Sequence, residues 1–417
     1  MNVAVFTDWK VPMLKKILKS FDYSVIVVYL LLCLFGLVMI YSSSMVIAVQ
    51  RYGLDSAYFY NKQKINLALA LLAFTVTAFL PYKLYASKKF LAVLMCGSMF
   101  GLLALFIFGH TSNNAQSWFR LGSSSVQPSE FVKVAIIIYL SAVYAKKQAY
   151  IDIFNKGVVP PLIFLIVVCF LVAIQPDIGT ATIIFGIGCT IIVASGMRLK
   201  TMLKLAGLGL LFAVLLSPFL FLEKDKIFTP VKIARFTGYL NPFQNEGGEG
   251  LQLVNSYIAI GSGGLKGQGL GESIQKLGYL PEPHTDFIMA IIAEELGAFG
   301  VLFVIGGLCY IVLRGIYIGI HSKDQFGSLL AIGISGMIAI QTFINLGGVC
   351  GLIPITGVTL PFISYGGSSL LILSLSLGIL VNVGMFTKYE EKYKHKQEKP
   401  QEAGGANRRP YQVYSRP

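Results

Sequence analysis

The sequence predicts an all-α, polytopic membrane protein of ten transmembrane helices, with one large extracytoplasmic loop between helices 7 and 8. Three observations lead there. Hydrophobic residues make up 55% of the 417-residue chain and charged residues only 13%, a balance that water-soluble domains do not have. Apolar runs of eighteen residues or more recur along the chain, each long enough to cross about 30 Å of hydrocarbon as a helix. Helices are required because a spanning segment has no water to satisfy its backbone. Finally, Lys and Arg alternate in density between successive loops, which gives every span a direction.

The spans fall at 23–42, 65–80, 90–109, 129–145, 158–175, 178–195, 202–222, 287–313, 327–347 and 364–386. The first begins with an apolar run from Tyr23 to Ile40, flanked by Lys15, Lys16 and Lys19. It is too long for a cleaved leader and continues into Tyr41, so it reads as a retained span. Gln127-Pro128 opens the fourth, where proline suits a first turn that needs no N–H. The fifth and sixth nearly touch across Gln175-Pro176-Asp177. With the N-terminus cytoplasmic, the segments 1–22, 81–89, 146–157, 196–204, 314–326 and 387–417 carry 23 of the 34 Lys and Arg residues, and the opposite loops carry 10. That bias sets both termini in the cytoplasm. The chain therefore divides into a cytoplasmic segment 1–22, a membrane domain 23–386 containing the outer loop 223–286, and a polar tail 387–417 that reads as disordered.

The outer loop balances six basic residues against six acidic ones over 223–284, and loops of such length are usually functional. Within it, "LQLVNSYIAI" (251–260) reads as a short helix at the membrane surface. It is followed by "GSGGLKGQGLGES" (261–273), with six glycines in eleven residues. They permit tight turns and close backbone approach, either in a linker or in a nest of N–H groups for an anion such as a lipid diphosphate. The stretch lacks the Lys-Ser/Thr ending of a nucleotide phosphate loop.

Carboxylates at or inside spans need partners. Glu130 and Lys133 lie three apart on one helical face and can pair, either to fix helix packing and open a polar cavity or to meet a substrate. Asp177 stands where a first turn welcomes an acid. Asp286 has the same excuse, with Thr285 or Asp286 able to cap the eighth span. It also lies at the outer mouth of the bundle beside His284 and the glycine-rich stretch, where it could act as a general base or touch a divalent cation. Glu294 and Glu295 point about 100° apart on that span, so one of them needs a basic or amide neighbour.

Several classes are excluded. The formal charge of +14 is scattered through short loops, so no nucleic-acid patch forms. The six cysteines form no C-x-x-C pair, which argues against a disulfide framework or thiolate metal site. The four histidines form no H-E-x-x-H pattern, and no G-x-S-x-G element is present. The small residues of "ISYGGSS" (363–369) suit close helix approach.

Four stretches then matter together: "AQSWFRLGSSSVQPSEFVK" (115–133), "QPDIGTA" (175–181), "GLKGQGLGESIQKLGYLPEPHTDFIMAIIAEELG" (264–297) and "GLIPITGVTLPFISYGGSS" (351–369). In this order, over residues 20–388, the chain resembles the SEDS family (shape, elongation, division and sporulation), and most resembles its cell-division branch. The resemblance implies a bacterial inner-membrane peptidoglycan glycosyltransferase at the division septum. It would polymerise lipid II, a disaccharide-pentapeptide on undecaprenyl diphosphate, using an undecaprenyl-diphosphate-linked glycan as donor. It implies Asp286 as the essential carboxylate and Glu130 and Lys133 as residues shaping the central cavity. Arg120, Lys266 and Lys276, with Arg235 as a poorer candidate, are the basic residues that could meet the diphosphate, and His284 adjoins them. Mg²⁺ or Mn²⁺ would neutralise the leaving group. The partners implied are a class B penicillin-binding protein (a transpeptidase) and other divisome proteins. Left open are a lipid II flippase, a scaffold that activates its partner, and the same polymerase serving elongation or sporulation.

Overall fold

A computed structural model describes residues 11–112, 115–121, 124–175, 177–207, 237–244 and 250–394. The seventh expected span beyond residue 207, the outer-loop stretches 223–236 and 245–249, Pro176, Arg235 and the tail beyond residue 394 lie outside the described residues. The described chain is a polytopic helical membrane protein. Its helices are α1 (Val11–Leu18), α2 (Tyr23–Gln50), α3 (Tyr58–Phe79), α4 (Lys88–Phe108), α5 (Pro128–Lys146), α6 (Val159–Ile174), α7 (Ile178–Ala194), α8 (Leu251–Gly263), α9 (Ile288–His321), α10 (Gln325–Val349) and α11 (Gly367–Tyr389). Among the described residues, seven helices are long and apolar enough to cross a membrane. Phe100, Ile107, Phe108 and Phe299 are each more than 70% exposed, an arrangement that suits acyl chains and would be costly in water.

Between α4 and α5 a small antiparallel sheet interrupts the helical pattern, in the order β1 (His110–Ser112), β2 (Ala115–Leu121), β3 (Ser124–Val126). Trp118 stands opposite His110, and Arg120 opposite Ser125. The stretch joins the third and fourth expected spans, and the span pattern predicts no strand there. The aromatic pair Trp118-Phe119 and the Gly122-Ser123 dipeptide are the strand and turn signals that the sequence offers here.

The interior is built on α5 and α11, each buried on nearly every face. Small and hydroxylated residues let helices approach closely and bond across the contact. On α11, a Cβ at Gly378 would stand 2.5 Å from Phe74 O. Thr77 there donates to Leu375 O (3.0 Å), and Tyr29 to Ser374 Oγ (2.8 Å).

The two ends of the bundle gather the segments that charge counting had sorted. At the end expected inside, Asp22 Oδ2 meets Arg314 Nε (2.8 Å) and Lys388 Nζ (3.1 Å), and Asn382 Oδ1 accepts from Tyr82 N (2.9 Å). At the opposite end, Gln127 Nε2 donates to Asp177 Oδ2 (2.9 Å), and Tyr365 N to His284 O (2.9 Å).

Helix α9 is broken at Gly297, whose φ of 62° and ψ of −155° are not helical. The break frees two carbonyls that the glycine-rich stretch takes up. Gln268 N donates to Glu294 O and Gly269 N to Glu295 O, both at 2.9 Å, while Ala298 N donates to Gly264 O (3.1 Å). Contact is so close that a Cβ on Gly267 would overlap the Glu295 carbonyl, and one on Gly297 would lie 2.5 Å from Gly267 N. Irregular backbone at membrane depth is tolerated when protein buries it. Helix α8 packs against the same part of α9, with Gly263 seated on the Ala293 carbonyl. The expected short helix therefore exists, docked on the bundle.

Candidate functional site

The segment from Gly278 to Phe287 carries the chain from the glycine-rich stretch into α9. Asp286 is half-buried at its end, beside fully buried Phe287 and Ile288. Neither Thr285 nor Asp286 caps α9, contrary to expectation: the helix starts after Phe287 with no side-chain cap. The Thr285 hydroxyl is engaged elsewhere, lying 3.0 Å from Asp286 Oδ1, 3.4 Å from Glu282 Oε2 and 3.3 Å from Glu282 O. The hydroxyl carries one proton, so it donates to one of these three oxygens at a time.

Asn345 sets the depth of Asp286. Its Nδ2 donates to Asp286 O (2.8 Å) and to Val358 O (2.7 Å), tying α10, the start of α9 and the 351–366 segment together. Both amide protons are used, so the orientation of the side chain is fixed. Asp286, Ile344, Asn345, Thr356, Gly357 and Val358 line an open pocket here. The sequence reading missed Asn345, although an amide inside an apolar span is itself a polar signal. Gly179 on α7 packs 3.1 Å from Thr356 by its would-be Cβ, and Asp177 caps α7 through Thr180 N (3.0 Å). Asp177 thus fills the capping role expected of it and also receives Gln127.

His284 is 3% exposed, its ring centroid 4.5 Å from Phe59 and 5.5 Å from Tyr365. Burial, and secondarily the charge of Arg51, push its pKa down to about 4. The imidazole is therefore neutral at physiological pH. Burial likewise raises the Glu282 carboxyl, against the smaller opposing effects of Arg51 and Thr285.

Glu130 and Lys133 make the expected pair, 2.8 Å apart on the first turn of α5 and both buried. Gln127, one turn earlier, joins this helix end to Asp177 and, through its N–H, to Ser368 Oγ (3.3 Å).

Lys276 was expected among the basic residues at the mouth, and the structure places it differently. It is 1% exposed and donates to Glu295 Oε1 (2.7 Å), Ser42 Oγ (3.1 Å) and Gly271 O (2.6 Å). Ser42 also donates to Glu295. The Lys276 ammonium thus satisfies one of the two intramembrane glutamates. Glu294 accepts from Ser273 Oγ and from Ile274 N (3.0 Å). Both acids serve to seat the 264–277 stretch on the broken helix. Lys266 is exposed on that stretch. Arg120 lies on β2, and what was expected of its side chain falls outside the described atoms.

Comparison with known proteins assigns the chain to a family. A family model described as "Cell cycle protein", built on FtsW, RodA and SpoVE, matches residues 22–389. A probable peptidoglycan glycosyltransferase FtsW of Bacillus subtilis (strain 168) is 57% identical over 385 residues, 92% of this chain and 96% of that protein. Stage V sporulation protein E of the same organism is 39% identical over 375 residues, 88% of this chain and 98% of that one. Two solved structures, each 22% identical, share the fold. A chain from a peptidoglycan synthase complex has a TM-score of 0.70, covering 88% of this chain and 98% of its own length. The rod-shape-determining protein RodA of Thermus thermophilus has a TM-score of 0.59, covering 87% and 96%. With a match running from the first span to the end of α11, this chain belongs to the FtsW, RodA and SpoVE family of cell cycle proteins, the SEDS family.

Proposed function

We propose that the chain is a peptidoglycan glycosyltransferase that polymerises lipid II on the outer face of the bacterial cytoplasmic membrane during septal wall synthesis. The observation that carries the reading is the 57% identity, over nearly its whole length, to a probable peptidoglycan glycosyltransferase FtsW. Asp286 at the pocket mouth supports it chemically. In this reading the 4-hydroxyl of an acceptor N-acetylglucosamine attacks C1 of the donor N-acetylmuramic acid. Asp286 orients that hydroxyl and takes its proton as undecaprenyl diphosphate departs, and inversion gives a β-1,4 link. No general acid is needed, because the diphosphate is already a good leaving group.

The described residues gather no three carboxylate, imidazole or thiol side chains that would hold a resident metal. Mg²⁺ or Mn²⁺ is accordingly proposed to arrive as the counter-ion of the diphosphate and to reach Asp286 at most from the substrate side. Such cations keep their waters and favour phosphate oxygens. Lys266 and Arg120 remain the candidates to meet the diphosphate. Lys276, His284, Glu130 and Lys133 would shape the cavity around it. Ten spans with both termini cytoplasmic, the division 1–22, 23–386 and 387–417, and a class B penicillin-binding protein as transpeptidase partner complete the proposal. Membership of a synthase complex by a solved relative supports the partner.

The test combines the purified chain, its transpeptidase, lipid II and Mg²⁺ or Mn²⁺ in detergent. Wild type is expected to yield glycan strands and Asp286→Ala none, with the same elution profile and unfolding curve. Equal polymer from both would defeat the assignment. Scrambling of lipid II in liposomes without polymer would favour transport.

A further inference from the structure

Asp286 is one end of a line of polar groups that leads back to the surface. Its Oδ1 is 3.0 Å from Thr285 Oγ1, which is 3.4 Å from Glu282 Oε2. The other oxygen of Glu282 faces Arg51 Nη1 at 3.8 Å, and Arg51 also donates to Pro281 O (3.1 Å), fixing this turn to the end of α2. The Glu282 side chain keeps 28% of its exposure, and that of Arg51 55%. The line therefore starts in the pocket and ends in contact with solvent.

One hydroxyl proton cannot serve two carboxylates and a carbonyl. With both acids ionised, Thr285 can donate to only one of them at a time. A single added proton completes the line, whether it sits on Asp286 or on Glu282. The two placements differ by a concerted hop through Thr285: the hydroxyl gives its proton to Glu282 as it receives the one on Asp286, and is itself unchanged.

We propose that Glu282 and Thr285 form the proton exit of the polymerase, returning Asp286 to its ionised form after each sugar is added. This rests on Asp286 being the base of the reaction proposed above. In each cycle the acceptor hydroxyl loses its proton to Asp286 as the C1–O bond to the new sugar forms and the bond to the diphosphate breaks. The proton then moves through Thr285 to Glu282 and from there to water. Burial raises the proton affinity of Glu282, the direction that an acceptor in this position needs. Arg51 is the charged group facing it from α2, and sets which way the carboxylate points. His284 is neutral, its ring tilted against those of Phe59 and Tyr365, and stands outside the line. Glu282 and Thr285 are positioning residues, since the line reaches the reacting atoms only through Asp286.

The experiment measures polymerisation of lipid II by the full chain with its transpeptidase. Glu282→Gln and Thr285→Val keep size but cannot pass a proton. Each is expected to lower kcat by about tenfold or more, the low end of general acid–base effects, with KM for lipid II unchanged. Glu282→Asp and Thr285→Ser are expected to keep most of the rate, and added formate to restore part of the rate of Glu282→Gln. Should a variant fail to fold, the wild type in mixtures of H₂O and D₂O over many turnovers at saturating lipid II decides. A curved dependence marks more than one proton in flight and a linear one overturns the relay. Wild-type rates from Glu282→Gln and Thr285→Val, beside an inactive Asp286→Asn, would overturn the relay and leave the base standing. An active Asp286→Asn would instead remove the base on which the relay depends. A rise in KM at constant kcat would also overturn it, by assigning these residues to substrate binding.

Discussion

Replacing Lys276 by methionine tests what holds the glycine-rich stretch on α9. The ammonium lies 2.7 Å from Glu295 Oε1, and the two side chains are 1% and 0% exposed. At the effective dielectric of about 20 that suits buried pairs, the Coulomb attraction at that separation is about 6 kcal/mol. Most of that offsets the desolvation of two ions. Removing one partner is different, because Glu295 stays behind with the Ser42 hydroxyl as its remaining side-chain donor. Breaking a buried pair from one side costs about 3–5 kcal/mol. Loss of the donor to Gly271 O adds about 1 kcal/mol. Lys276→Met should therefore destabilise the protein by about 4–6 kcal/mol, while Lys276→Met combined with Glu295→Leu should recover to within about 1–2 kcal/mol of wild type. Equilibrium unfolding in mixed micelles, followed by circular dichroism and arranged as a double-mutant cycle, measures both. A single variant within about 0.5 kcal/mol of wild type, the range of an ordinary surface substitution, would refute the reasoning. So would a double variant no more stable than the single one.

Gly297→Ala places a Cβ 2.5 Å from Gly267 N and demands a left-handed φ of 62°, so it should cost about 2–3 kcal/mol and lower polymer yield, read by thermal unfolding and strand length. Asn345→Leu removes two donations, to Asp286 O and Val358 O, and should cost about 2–4 kcal/mol with a lower kcat. An Asn345→Leu protein with wild-type turnover would show that Asp286 needs no such anchor. His284 has a folded pKa of about 4 against an ordinary 6.5, so the unfolded chain takes up its proton first as pH falls. The stability tied to its neutral form is complete above pH 6.5 and is lost between 6.5 and about 4, roughly 3 kcal/mol in all. His284→Phe should flatten that part of the stability–pH curve, which chemical unfolding at pH 7, 6 and 5 would reveal.

The sequence by itself determined the class of fold, because a helix crossing hydrocarbon is forced by backbone hydrogen bonding and a twenty-residue apolar run leaves no other choice. It determined where most described spans begin and end, since Pro128, Asp177 and the polar turns around Lys88 and Asp324 mark the boundaries chemically. It also singled out Asp286, Glu130 and Lys133, since an ion among apolar residues is conspicuous. Partners were decided only in three dimensions. Lys276 and Glu295 are nineteen residues apart and share Ser42 from α2, a meeting that no local periodicity encodes. The same holds for Asn345, which reaches Asp286 across 59 positions, and for Gly297, whose helix break exists because the 264–269 backbone occupies the gap. Spacing along a chain reports which face a residue shares with its near neighbours. Which distant group waits on that face depends on how whole helices pack, and that depends on every other contact in the bundle.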